Sequence, residues 1–104
     1  MKAIVLASYS PAALRGLMGG SDRRAAIESM LQPVEGTVER IAFVRGEYDI
    51  LVSATIPDSN ALIGITTAVR ASGAFEKVIV LEEVDIQSIL TIANKVAVAY
   101  TPAG

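Results

Sequence analysis

A chain of 104 residues supports one core, so a single domain over residues 1–104 is expected. The net charge is −2, nine basic and eleven acidic residues are interspersed, and no basic cluster exists beyond Arg23-Arg24, which argues against a nucleic-acid partner. Cysteine and histidine are both absent, which excludes thiol nucleophiles, disulfides, Cys/His zinc sites, Ser-His-Asp triads and His-ligated haem. No metal or cofactor is therefore expected, and any acid–base chemistry falls to carboxylates, tyrosines, lysines or arginines. Hydrophobic residues make up 52% of the chain and concentrate in strand-like runs, which points to a buried subunit interface.

Residues 2–8 are a near-continuous apolar run of strand length, expected to be a strand covered on both faces. The run breaks at Ser8-Tyr9-Ser10-Pro11 without a small-residue cleavage pattern, so it reads as a strand rather than a leader. No apolar run approaches the roughly eighteen residues needed to span a bilayer, and a cytoplasmic protein is expected. Ser10-Pro11 is an N-cap followed by proline at the first helical position. The short helix it opens is expected to turn Leu14, Leu17 and Met18 inward and to stop at Gly19-Gly20. Ser21 is expected to cap a second helix presenting Ala26, Ile27, Met30 and Leu31 at helical spacing, with Pro33 ending it before Gly36.

Residues 37–44 read as a second strand, residues 45–47 as a tight connection, and Tyr48 to Ile56 as a third strand. Its even positions (Tyr48, Ile50, Val52, Ala54, Ile56) form an apolar face, whereas the odd ones (Asp49, Leu51, Ser53, Thr55) are mixed. Asp58 caps a helix carrying Leu62, Ile65 and Val69 and ending at Gly73, and residues 75–83 form a fourth strand. Asp85 caps a last helix bearing Ile86, Ile89, Leu90 and Ala93, and the tail from Val96 to Gly104 reads as strand-like. The order β-α-β-β-α-β gives an α+β fold with a four-stranded antiparallel sheet, helices on one face, and an extra C-terminal helix and tail. The uncovered face, which includes Leu51, calls for a partner, and a second copy of the same sheet is the simplest.

The Gly46-Glu47-Tyr48-Asp49 stretch, the strand after it and the Pro57-Asp58 helix start resemble the GYD domain family. Leu6-Ala7-Ser8-Tyr9-Ser10, Ser21 to Ala26, Ala71-Ser72-Gly73 and Tyr100-Thr101-Pro102-Ala103-Gly104 are similar to that family's first strand, main helix, helix end and tail. Members often run from the main helix through Leu-Gly-Gly, whereas this chain has Leu31-Gln32-Pro33-Val34-Glu35-Gly36. The resemblance implies a ferredoxin-like protomer of the dimeric α/β-barrel type, hence a homodimer or higher homo-oligomer, and carries no general biochemical role. Residues 37–84 also resemble the effector-binding domain of the leucine-responsive regulator family, which implies an effector-sensing module as a rival reading.

Gly46 is expected at a positive φ in the hairpin. For Asp49 two readings stand side by side: a carboxylate bonding backbone N–H groups near the turn, or a general base at a pocket rim. Tyr48 is a core or cavity-wall residue or a ligand contact. Ser8 and Tyr9 lie where the first strand ends, and together with Tyr48, Asp49, Ser53 and Arg45 they form the candidate ligand-binding set. Arg45 and Arg70 are candidate grips for an anion or solvated surface residues, and Glu82-Glu83 is a solvent-exposed strand end. The leading functional expectation is a homo-oligomer that binds a small hydrophobic or anionic molecule between sheet and helices. The alternative, by analogy with cofactor-free oxygenases, isomerases and cyclases of the dimeric α/β-barrel group, uses Asp49 and Tyr48 for proton transfer.

Overall fold

The apolar run at the start of the chain becomes the middle of a sheet. In the computed structural model, which describes residues 1–103, the elements are β1 (Lys2–Tyr9), α1 (Pro11–Met18), α2 (Arg23–Leu31), a 3-10 turn (Gln32–Val34), β2 (Thr37–Phe43), β3 (Ile50–Thr55), α3 (Ser59–Ala71), β4 (Phe75–Glu83) and α4 (Ile86–Ala99). The four strands are antiparallel in the order β2-β3-β1-β4, so the fold is the expected α+β ferredoxin-like arrangement. Side chains alternate across the strands, and the two faces have different fates. Ala3, Ala7, Ile50 and Ala54 are buried beneath the helices together with Leu31, Leu62, Ile65 and Val69. The α3 residues recur at helical spacing, and small alanines on β1 leave room for them to approach.

On the other face the register aligns Leu51, Leu6 and Ile79 in one row and Ser53, Ile4 and Leu81 in the next. Ile4 and Leu6 are only half-buried, while Ile79 and Leu81 are exposed. The expectation that β1 is covered on both faces is therefore not met within one chain, because α1, α2 and α3 all lie on the same side.

Three of the expected caps are present: Ser10, Asp58 and Asp85 accept from the N–H groups of Ala13, Ala61 and Gln87 at 3.2, 2.8 and 3.1 Å. The cap of α2 is Asp22, not Ser21; its Oδ1 accepts from the Ala25 N–H at 3.1 Å. The Ser21 N–H is instead drawn back onto the carbonyl of Gly16, so the chain turns helical one residue later. In α1 the inward residues are Ala13 and Leu17, while Leu14 and Met18 are exposed. The phase is set by the Ser10 cap, whose own N–H donates to the carbonyl of Ala74, and each residue turns about 100° around the axis. In α2 the inward pair is Ile27 and Leu31; Ala26 and Met30 are exposed. At Gly36 an added Cβ would lie 3.2 Å from the Cβ of Leu31, so glycine lets the chain pass close to the helix end.

β3 starts at Ile50 rather than Tyr48, because Gly46 at φ 142° and the residues around it form a loop over 44–49. The tail also differs: Val96 to Ala99 continue α4 as helix, with no glycine or proline to stop it before Pro102, and the following residues to Ala103 are not strand. Gly104, part of the expected tail strand, lies outside the described residues. No residue of α4 is buried, and its apolar side chains from Ile89 to Val98 stand 42–90% exposed. The radius of gyration, 17.5 Å, exceeds the about 13 Å of a compact chain this long, and the extents are 59 × 32 × 22 Å. A helix of this length reaches about 21 Å, so α4 stands away from the body. Among the described residues no helix is long and apolar enough to cross a membrane.

Candidate functional site

The helix-facing side of the sheet does not close completely. Val5, Ala7 and Val52 form the floor of a cavity of about 70 Å³, and Ile27, Ile65 and Val69 are among its walls from α2 and α3. Three of its lining side chains carry polar groups: Tyr9, Arg23 and Thr66. The Thr66 hydroxyl is spent inside α3, donating toward the carbonyls of Leu62 and Ile63 at 3.0 and 3.1 Å.

Tyr9 is placed by the end of β1. The β1–β4 register shifts between Ser8, opposite Lys77, and Tyr9, opposite Phe75, so Glu76 is the extra residue of a bulge. The bulge brings two aromatic side chains onto the helix-facing side, where their rings stack with centroids 5.1 Å apart and planes at 27°. Tyr9 is also held from the other side. Its N–H donates to Asp49 Oδ2 at 2.9 Å, while the N–H of Asp49 donates to the carbonyl of Ala7 at 2.9 Å. The Asp49 carbonyl accepts from Val44 at 2.8 Å, and the Ser8 hydroxyl donates to the carbonyl of Glu47 at 2.7 Å. The 44–49 loop is thereby fastened to the end of β1.

Burial pushes the Tyr9 phenol above its ordinary pKa of 10.0; the nearby Arg23 charge opposes this and the Asp49 carboxylate adds to it. Arg23 opens α2 and reaches over the cavity. Its Nε is shielded from solvent and has no hydrogen-bond partner among the described residues. The same side chain lines a surface groove formed by α1, Ser21 and the Ser72 to Ala74 turn.

Of the candidate ligand-binding residues named from the sequence, Tyr9 alone lines the cavity. Ser8 and Asp49 are joined to it through the backbone network but are turned to the loop. Asp49 bonds a backbone N–H, as one of its two readings had it, but that N–H belongs to β1 rather than to the turn. Tyr48, expected on the cavity-wall face, is half-buried and does not line the cavity, because the loop breaks the strand alternation before Ile50. Ser53 lies in the open-face row beside Ile4, and Arg45 and Arg70 are exposed. The sequence reading missed Arg23 and Phe75. Arg23 stands four and eight residues before Ile27 and Leu31, a helical spacing that puts it on their face; the pairing of Phe75 with Tyr9 depends on the bulge. Among the described residues no group of three or more acidic side chains converges to hold a metal ion.

Compared with known proteins, residues 4–93 match the family model of the GYD domain. No curated protein matches the chain. The crystal structure of FFRP-DM1 is similar at 20% identity, with 80% of this chain and 97% of that chain covered and a TM-score of 0.52. The hypothetical protein PHS023 from Pyrococcus horikoshii is similar at 19% identity, with 81% and 90% covered and a TM-score of 0.52. Likeness at this level of identity carries the fold.

Two outcomes follow from the site geometry. Asp49→Ala strands the Tyr9 N–H and should lower stability by about 1–3 kcal/mol, whereas Asp49→Asn, which keeps an acceptor oxygen, should cost about 1 kcal/mol. Denaturant unfolding checks this, and an unchanged midpoint for Asp49→Ala would remove the carboxylate from the account. The Tyr9 pKa is raised in the folded state, so its contribution to stability is present below pH 10.0 and is lost as pH rises through the folded value. An ultraviolet titration should show a step above pH 10.0 that disappears in Tyr9→Phe.

Proposed function

Because the chain belongs to the GYD domain family, we propose that it works as a homo-oligomeric binding domain for a small molecule held between the sheet and its helices. The observation that carries this reading is the apolar cavity beneath α2 and α3, with a stacked aromatic pair and one unpartnered cationic side chain among its lining. Binding sites for small molecules are concave and mostly apolar, with a few polar groups that fix orientation. This cavity is small, and the surface that lines it is almost wholly apolar.

Self-association is supported by the open sheet face. Its centre is apolar, through Leu51, Leu6 and Ile79 with Ile4 and Leu81, and Lys2, Glu83 and Arg40 lie at its margins. An apolar centre with a charged rim is the composition of a subunit interface. A second copy packed on this face would cover it with the same surface, as a twofold interface requires. α4 adds a further apolar surface that its own chain leaves bare.

The binding reading is favoured over proton transfer by Asp49 and Tyr48 by the placement of that pair. Neither lines the cavity, and the Asp49 carboxylate already accepts from Tyr9.

Xenon tests the cavity without reference to charge, since it enters small dry cavities lined by apolar side chains. Under xenon pressure the methyl resonances of Val52, Ile65 and Val69 should shift together while those of α4 stay in place. Absence of shifts at the cavity methyls would overturn the binding reading.

A further inference from the structure

We propose that α4 docks on α4 of a second copy, the two helices packed antiparallel along one apolar seam. The inference deepens the self-association reading above and rests on it. That reading gives the open sheet face to a second copy; this one names the partner of the other bare surface.

The first support is the pattern of the helix. Ile86, Ile89, Ala93, Val96 and Tyr100 recur at alternating spacings of three and four residues, which aligns them as the seam of a paired helix. Gln87, Ser88, Thr91, Asn94 and Lys95 fall on the opposite side. α4 thus carries an apolar face and a polar face, yet every one of its residues is exposed. Isolated helices shorter than about 12–15 residues are marginal in water, and burial of an apolar face is what stabilises them in proteins. α4 has 14 residues and buries none of them in its own chain.

The second support decides the occupant. The seam is self-complementary when two copies run in opposite directions. Ala93 then meets Ile89 of the partner subunit, and Ile86 meets Val96 of the partner subunit. The small side chain sits against a large one, as close packing requires. A parallel pair would set Ala93 against its own copy and leave a gap in the seam. A lipid surface is a poorer fit. Lys95 is the single base of the helix, and Glu82, Glu83 and Asp85 lead into it, whereas helices that lie on membranes carry a basic polar face. Area sets the strength of the contact. Half the surface of a helix about 21 Å long and about 10 Å across is roughly 300 Å², so a pair covers roughly half of the about 1,200 Å² at which specific interfaces begin. The α4 pair therefore reinforces the sheet-face contact rather than replacing it.

The test exploits the absence of cysteine from the chain. Full-length Ile86→Cys and Val96→Cys proteins are mixed in equal amounts and mildly oxidised, and intermolecular contacts of the Leu6 and Leu51 methyls are followed separately. Both substituted positions are exposed in the single chain, so neither change disturbs the core. The mixed disulfide should form at least about tenfold faster than the homodisulfide of Thr91→Cys, which lies on the polar side, because cysteines held together see a higher effective concentration than colliding ones. Ile86 and Val96 lie about 15 Å apart along one helix, so a parallel pair does not join them. Predominance of the two homodisulfides in the mixture would overturn the antiparallel seam. A mixed disulfide no faster than the Thr91→Cys link would overturn the pairing itself. Sheet-face contacts that persist in that case would leave self-association standing without α4, and their loss would take that reading too. A fast mixed disulfide without sheet-face contacts would uphold the α4 pair and remove the sheet face. A slow mixed disulfide together with binding of the parent chain to phosphatidylcholine–phosphatidylglycerol vesicles would give the helix to a lipid surface and overturn the inference.

Discussion

The structure depends on a sheet that is covered on one side only. In a β-α-β-β-α-β chain both crossovers have the same hand, so the helices between β1 and β2 and between β3 and β4 fall on one face. β1 lies at the centre of the resulting sheet, with β3 and β4 as its neighbours. Its odd residues Ala3, Val5, Ala7 and Tyr9 face helices, and its even residues Ile4 and Leu6 lie on the face that α1, α2 and α3 leave open. A chain with 52% hydrophobic residues thus leaves two apolar surfaces uncovered, the open sheet face and α4. Burial of apolar area contributes about 25 cal/mol per Å², so covering either surface against a second copy is a large favourable term.

At the end of β1 the same strand sets the cavity. The bulge opposite Phe75 and the bond from Tyr9 N–H to Asp49 fix one aromatic ring from two sides, and the helices bridge over the gap beside it. Packing is incomplete there. A cavity of about 70 Å³ forgoes about 2 kcal/mol at the rate seen for residual cavities in protein cores. The unpartnered Arg23 Nε adds a cost of about 1–3 kcal/mol. Against a total stability of about 5–15 kcal/mol for a domain, two such departures at one place are substantial. Local violations of good packing and of polar satisfaction concentrate where a protein does something other than fold.

Much of this architecture is legible in the residues, because local signals decide it. Ser10-Pro11, Asp58 and Asp85 cap helices as their side chains predict, and Ile50 and Ala54 on the even face of β3 are buried as alternation requires, with Val52 half-buried between them. Where two local signals compete, tertiary contacts choose. Ser21 and Asp22 are both good caps, and the bond from Ser21 to Gly16 hands the role to Asp22. The candidate site was harder to read because it is assembled across the chain. Asp49 bonds an amide forty residues away in sequence, and Phe75 meets Tyr9 only because Glu76 is bulged. Arg23 and Arg24 are adjacent bases in the sequence, and the one local signal that separates them is the helical spacing from Arg23 to Ile27 and Leu31, which turns Arg23 over the cavity while Arg24 pairs with Glu28.

The central claim, that the open face of the sheet is completed by a second copy, is tested most directly by contacts between chains. In a sample mixed from labelled and unlabelled protein, isotope-filtered nuclear Overhauser spectra report proximity between different molecules alone. The account predicts intermolecular contacts among the methyl groups of Leu6, Leu51, Ile79 and Leu81, and their loss in Leu51→Arg, which would bury an unpaired charge at the centre of the face. A sample that is monomeric at millimolar concentration, or one whose intermolecular contacts avoid this face, would contradict it.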